Sequence, residues 1–335
     1  MRGFQVRELA HHTAITLSEE VPEPVPQKNE VLIDVYSGGL NFFDILQTQG
    51  KYQVKPPLPF VLGTEFAGRI AKDSPIPTGC PLKPGQRVFG AGQGSFGEKM
   101  VVKIESVLPL PDELTYDQGA GLYITWPTSY EALVGRAQMK PGEWIFVAAA
   151  AGGVGIAAVQ LAKVLGGKVI AAAGSQDKLE IAKRYGADHV INYTSPDWQK
   201  EVMRITGGKG VDVFYDPVGL VTASLKIIAW KGRVIVVGFA AGAIEKIPMN
   251  LVLLKNISLV GLHWGAYRLH ENEQVGVVWK ALLDLFASGK IKPVSYSEVF
   301  PLEKLSDGLG ALEQRKTYGK VVVNIKKDDT VSAKL

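Results

Sequence analysis

The stretch that most restricts how this chain can fold runs Trp144-Ile-Phe-Val-Ala-Ala-Ala-Ala-Gly-Gly-Val-Gly-Ile-Ala-Ala-Val-Gln-Leu-Ala-Lys163. An aromatic and β-branched run enters a turn made only of small residues. Apolar residues then recur at helical spacing: Val154, Ala157 or Ala158, Leu161 and Leu165. Strand, tight turn and helix in that order build one βα unit of a parallel sheet, with room at the turn for a phosphate. Read as G-x-G-x-x-G, the positions are Ala150, Gly152 and Gly155, so alanine replaces the first glycine. Gly152 lets the backbone approach a pyrophosphate and Gly155 lets helix and strand pack closely. The helix start at Gly153 and Val154 offers N–H groups to the anion.

The next apolar run ends Ala173-Gly174-Ser175, followed by Asp177 and Lys178. A site selective for NAD places a carboxylate at this strand end to hold the ribose 2′-hydroxyl. None stands here, so a 2′-phosphate is admitted, with the Ser175 hydroxyl and the Lys178 cation as its ligands. Lys178 also reads as a solvated lysine at a helix start, and Asp177 as the cap of that helix. NADPH is expected over NADH.

Around this unit, strand candidates at 144–148, 168–173, 189–192, 211–215, 233–237 and 257–261 alternate with helical stretches, the size of a full dinucleotide-binding unit. A helix is expected over 274–288, with Val278, Ala281, Leu282 and Leu285 inward and Lys280 and Asp284 outward. The first 120 or so residues instead show short strands between Pro and Gly signals, at 31–35, 61–62, 66–70 and 87–89, as in a small barrel or sandwich. Strand patterns return at 294–300 and 319–325. The fold class expected is α/β, with 335 residues and 46% hydrophobic content supplying two cores. A net charge of +4 without a basic stripe argues against nucleic acid. No apolar run approaches the roughly twenty residues of a membrane span. A single cysteine, Cys80, excludes an internal disulfide or a four-thiolate zinc lobe and reads as reduced.

Several spaced motifs together resemble the medium-chain dehydrogenase/reductase superfamily in its zinc-free quinone oxidoreductase, or zeta-crystallin-like, branch. They are Asn41-x-x-Asp44 with Gly50-Lys51-Tyr52, Gly63-Thr64-Glu65-Phe66-Ala67-Gly68, Lys83-Pro84-Gly85, Thr128-Ser129-Tyr130, the 149–155 loop, Asp216-Pro217-Val218-Gly219 and Gly319-Lys320-Val321-Val322. The resemblance implies a GroES-like β-rich catalytic domain from 1–123 and 295–335, with a Rossmann domain of parallel doubly wound sheet, 124–294, inserted between. It implies that Thr128 lies by the nicotinamide, Tyr193 by the adenosine phosphate, and Phe239, His263 and Trp264 along the cofactor, with Lys320 also at the cofactor. Asn41 lines the place where the acceptor meets the hydride face. The run Tyr123-Ile-Thr-Trp-Pro127, which faces the cleft in relatives, and Ser129, usually alanine, depart from the pattern. Zinc-dependent relatives carry cysteine at Asn41 and histidine at Thr64, so no tetrahedral zinc site is expected and no metal ligand is nominated.

Hydride transfer from NADPH to a quinone needs little acid–base machinery, because the reduced oxygens take protons from solvent. An enone or enoyl thioester needs a proton at its α-carbon, and Tyr52 is then the candidate donor; otherwise Tyr52 is a packing residue at the mouth of the cleft. The catalytic set expected is Asn41, Tyr52 and Thr128. An NADPH-binding or RNA-binding protein of low turnover is the non-enzymatic alternative. The apolar segment 257–264 at a sheet edge, and the habit of relatives, lead to the expectation of a homodimer. The terminal Ala333-Lys334-Leu335 is a variant of the Ser-Lys-Leu address read by the peroxisomal import receptor, and gives peroxisomal localisation as the expectation.

Overall fold

The computed structural model describes residues 1–242 and 244–326. Two compact units are present: Met1–Tyr123 with the segment from Pro293 onward, and Ile124–Lys292. Ala333-Lys334-Leu335 lies outside the described residues.

The first unit is built from β1 (Gly3–Val6), β2 (Leu17–Ser18), β3 (Glu30–Gly39), β4 (Phe60–Val61), β5 (Glu65–Ile70), β6 (Arg87–Ala91), β7 (Lys99–Lys103) and β8 (Val107–Pro109). In β3 the alternating Val31, Ile33 and Val35 are fully buried, as a strand with one face on a core requires. They meet Phe66 and Ile70 of β5 and Met100 of β7.

The second unit is a six-stranded sheet of β9 (Trp144–Val147), β10 (Lys168–Ala173), β11 (His189–Asn192), β12 (Val211–Asp216), β13 (Ile228–Val236) and β14 (Ser258–Gly261). The strands run in parallel in the order β11-β10-β9-β12-β13-β14, a doubly wound sheet whose order reverses between β9 and β12. Across that reversal Phe146 and Phe214 are register partners and stack at 4.8 Å. The chain then returns to the first unit with β15 (Ser295–Pro301) and β16 (Lys320–Asn324). There the mixed sheet has the order β15-β16-β3-β5-β6-β8, with β7 also paired to β3.

Three sequence expectations change. The Gly153–Val164 helix does not bury one face alone: from Gly155 to Ala162 every residue is buried, because its alanines let β9, β10 and the Thr125–Glu131 helix approach from several sides. Strand β13 begins at Ile228 rather than 233. Its first half is masked in the sequence by Trp230-Lys231-Gly232, where Lys231 takes a left-handed φ of 60° and the pairing with β12 shifts. Ser175, not Asp177, holds the cap position of the Gln176–Arg184 helix, and Asp177 lies in its first turn. Among the described residues, no helix is long and apolar enough to cross a membrane.

Candidate active site

In the first unit β16, β3 and β5 lie side by side, with Gly39 of β3 opposite Val322 on one side and Glu65 on the other. Asn41 follows β3 directly and is buried between them. Its amide donates to a Glu65 carboxylate oxygen at 3.0 Å and to the Gly39 carbonyl at 3.2 Å, while its Oδ1 accepts from Lys320 Nζ at 2.6 Å. The Lys320 ammonium also pairs with the Glu65 carboxylate. Glu65 and Lys320 are buried to 0% and 5% exposure, so each ion depends on the other and on Asn41 for its solvation. Room for the lysine stem comes from two glycines. A Cβ on Gly121 would lie 2.7 Å from Lys320 Cγ, and one on Gly39 would lie 3.0 Å from Lys320 Cε and 2.1 Å from the Ala120 carbonyl.

One turn further, the backbone N–H of Asn41 donates to Asp44 Oδ2 at 2.7 Å, while Asp44 Oδ1 is buried with no hydrogen-bond partner. Burial raises this carboxyl to about 7, against the Asn41 N–H and the Lys320 charge, which lower it, and with the Glu65 charge, which raises it further. Tyr52 stacks on Phe43 at 5.0 Å. Partial burial, and after it the Asp44 charge, push the phenol above its ordinary value, so Tyr52 is held as the protonated phenol.

In the second unit the phosphate-loop candidates follow β9. Ala149 adopts a left-handed φ of 47°, so the strained residue of the turn precedes Ala150, the position read as the first glycine. Gly152 is the extended cap residue of the Gly153–Val164 helix, without a capping side chain. The first-turn residues Gly153 and Val154 are half-buried. A Cβ on Gly155 would lie 2.2 Å from the Ala149 carbonyl oxygen, the close helix–strand approach expected of this position.

Apart from Thr128, the remaining candidates of this unit follow the strand ends at one side of its sheet. Ser175 follows β10, exposed, with Lys178 in the first turn of the next helix. Tyr193 follows β11, and its ring edge would come 3.7 Å from a Cβ on Gly174. Phe239 follows β13, 43% exposed. Beyond β14, His263 is exposed and Trp264 stacks on Tyr267 at 4.9 Å. Thr128 is buried on the Thr125–Glu131 helix and donates its hydroxyl proton to the Ile124 carbonyl at 2.6 Å, which leaves its oxygen as an acceptor.

Matches to known proteins follow these two units. Residues 27–112 match the model of the alcohol dehydrogenase GroES-like domain, and residues 153–286 that of the zinc-binding dehydrogenase. Over 303 residues the chain is 40% identical to quinone oxidoreductase-like protein 2 homolog of Nematostella vectensis, covering 89% of this chain and 82% of that one. The chain belongs to the medium-chain dehydrogenase/reductase family, on its quinone oxidoreductase branch. Among solved structures similar to this medium-chain reductase is Escherichia coli quinone oxidoreductase complexed with NADPH. It has a TM-score of 0.87 at 29% identity, with 97% of this chain and 100% of that one covered. CurK enoyl reductase gives 0.86 at 26% identity, with 96% and 98% covered.

The zinc after which one family model is named does not fit this medium-chain reductase. Around Asn41 the structure offers an amide, the Glu65 carboxylate already paired with an ammonium and the Asp44 carboxyl raised to about 7 by burial, and a cation there would meet the Lys320 charge. Within the first unit the Lys320 ammonium is engaged by Glu65 and Asn41. In the run that departs from the family pattern, Trp126 and Tyr123 are buried, Trp126 edge-on to Phe286 at 4.9 Å and Tyr123 edge-on to Phe89 at 6.1 Å. The serine that replaces the usual alanine also has a role. Ser129 Oγ lies 2.8 Å from the Val154 carbonyl, 3.0 Å from that of Thr125 and 2.9 Å from the Tyr215 hydroxyl. Its single proton goes to a carbonyl, so the tyrosine donates to it, and the helix bearing Thr128 is tied to the start of the phosphate-loop helix. Nothing in the local sequence signals this bond, because 86 residues separate Ser129 from Tyr215.

Proposed function

We propose that the protein is an NADPH-dependent reductase that delivers hydride to a quinone without a metal. The observation that carries this reading is how the candidate groups spend their protons. Asn41 gives both amide protons to Glu65 and Gly39, and Thr128 gives its hydroxyl proton to Ile124. Asn41 and Thr128 therefore have no proton left for an acceptor, which suits a quinone whose reduced oxygens are protonated by solvent. The similarity to quinone oxidoreductases supports the same class.

Bound NADPH supplies the hydride, and the chain's own residues bind and orient. The first-turn N–H groups from Gly153 to Gly155 receive the pyrophosphate. Ser175, Lys178 and Tyr193 gather at the strand ends for the 2′-phosphate and adenosine, and Phe239, His263 and Trp264 for the rest of the cofactor. Thr128 offers an acceptor oxygen to the carboxamide. Lys320 and Glu65 hold Asn41 in one orientation, so its remaining Oδ1 lone pair faces a fixed direction.

A second reading, reduction of an enone or enoyl thioester, is favoured by Tyr52, whose phenol stays protonated beside Asp44. Stopped-flow oxidation of NADPH and NADH with 1,4-benzoquinone, 9,10-phenanthrenequinone and a crotonoyl thioester separates the two. Quinone turnover that survives Tyr52→Phe supports the first reading, thioester turnover abolished by Tyr52→Phe supports the second, and no acceptor-dependent oxidation removes both. Lys178→Ala weakens NADPH and spares NADH; equal loss for both would refute the 2′-phosphate assignment. Two further proposals concern the whole chain. Edge strand β14 pairs with a second copy, which a monomeric mass by light scattering would disprove. The terminal Ala333-Lys334-Leu335 directs the protein to peroxisomes, which unchanged localisation after its deletion would disprove.

A further inference from the structure

The first unit carries a polar cluster for which hydride transfer has no use. His11 caps and His12 opens the 3-10 turn His12–Ala14, and Glu313 ends the Leu305–Glu313 helix. Nearly the whole sequence separates them. Yet His11 Nε2 lies 3.1 and 3.2 Å from the two Glu313 oxygens, and His12 Nε2 lies 3.3 Å from one of them. Ligand atoms of all three lie within 4.8 Å of one another. A tetrahedral zinc ion with bonds of about 2.0–2.2 Å holds its ligand atoms about 3.3–3.6 Å apart, so the cluster is within a small adjustment of that geometry.

Ser306 Oγ lies 3.1 Å from His12 Nδ1 and 3.4 Å from the His12 carbonyl, so it can hold the outer ring nitrogen in either tautomer. In the tautomer protonated at Nδ1, the Nε2 lone pair of His12 faces a Glu313 oxygen at 3.3 Å, an arrangement that a cation between them would fix. On the other ring, His11 Nδ1 accepts from the Thr13 backbone N–H at 3.5 Å and lies 2.9 Å from Thr13 Oγ1, so metal binding through Nε2 would shift the proton to Nδ1, where Thr13 Oγ1 can accept it. His12 is 2% exposed, while His11 and Glu313 stand at the rim of an open pocket of about 380 Å³ that Asp307 and Lys316 also line. A cation held there keeps a coordination position open to solvent.

We propose that His11, His12 and Glu313 form a binding site for a divalent late transition-metal ion, with Zn²⁺ the best match to two imidazoles and one carboxylate. Bound metal fastens the His12–Ala14 turn to the Leu305–Glu313 helix and so ties the two chain segments of this unit together. It is separate from the Asn41 cluster and takes no part in reduction.

The test uses full-length, tag-free protein freed of metal with a chelator. It is titrated with ZnCl₂ by calorimetry and with CoCl₂ by visible absorption. One equivalent binds, Co²⁺ shows the intense visible bands of low coordination number, and Zn²⁺ raises the melting temperature. Glu313→Gln lowers the affinity at least tenfold and abolishes the melting shift, while NADPH-dependent quinone reduction is unchanged. His12→Ala does the same; should that variant not fold, Glu313→Gln at the half-exposed helix end still decides. Absence of saturable binding, or an affinity unchanged in Glu313→Gln, would overturn the proposal.

Discussion

Lys320 shows how protein groups can hold a cation in the interior. Two glycines clear its stem, Glu65 balances its charge and Asn41 takes the remaining contact. Removing one partner of such a pair leaves an unpaired charge in the interior, at about 3–5 kcal/mol. Lys320→Met is therefore expected to lose stability of that order in urea denaturation, and Glu65→Leu/Lys320→Met to recover a large part of it. Asp44 supplies a second expectation at this scale. Its carboxyl has an ordinary value of 3.8 and a folded value of about 7, so between these the folded chain holds a proton that the unfolded chain has released. Stability then falls as pH rises from 4 towards 7 and levels off above, and Asp44→Asn removes one proton from that slope in a pH series of denaturant melts. Asn41, Asp44, Glu65 and Lys320 all stand in motifs the sequence displays. That they meet was not legible, since 24 and 279 residues separate Asn41 from its two partners and no local pattern encodes such a contact. The adjacent His11 and His12 were passed over for the same reason, their third partner being Glu313.

Among the elements, the strands were the most readable, because apolar runs bounded by Gly and Pro have few alternatives in a parallel sheet. Even so β13 was half missed, where Lys231 breaks the pattern that its pairing with β12 restores. The Gly153–Val164 helix misled in the opposite direction. Periodicity located it, but alanines bury as readily as leucines without marking a face, so its burial on several sides was invisible. That packing leaves no slack at Gly155. An added methyl would meet a backbone oxygen, which cannot turn away as a side chain can. Gly155→Ala is expected to cost at least about 1–3 kcal/mol and to lower the melting temperature by several degrees, checked by calorimetry.

For the molecule as a whole, the two units use the chain differently. The residues of Ile124–Lys292 are contiguous and include every strand of the parallel sheet. The other unit has β16 inside its sheet, between β15 and β3, although β16 comes from the far end of the sequence. A fragment of residues 124–292 is expected to give a cooperative thermal transition and resist protease. A fragment of residues 1–123, which lacks β15 and β16 and leaves the Ser37–Gly39 edge of β3 unpaired, is expected to be digested or to aggregate. Cooperative unfolding of the shorter N-terminal fragment would contradict this.

The place of β16 also sets a timetable for the chain as it is made. At about 5–20 residues per second, some 280 residues must be added after β3 before the β16 partner of its Ser37–Gly39 end exists, a wait of about 15–60 seconds. The parallel sheet is complete within that interval. The newborn N-terminal segment must meanwhile hold β3 with β5 and β7 alone, and a chaperone that covers the waiting Ser37–Gly39 edge during synthesis would find its target there.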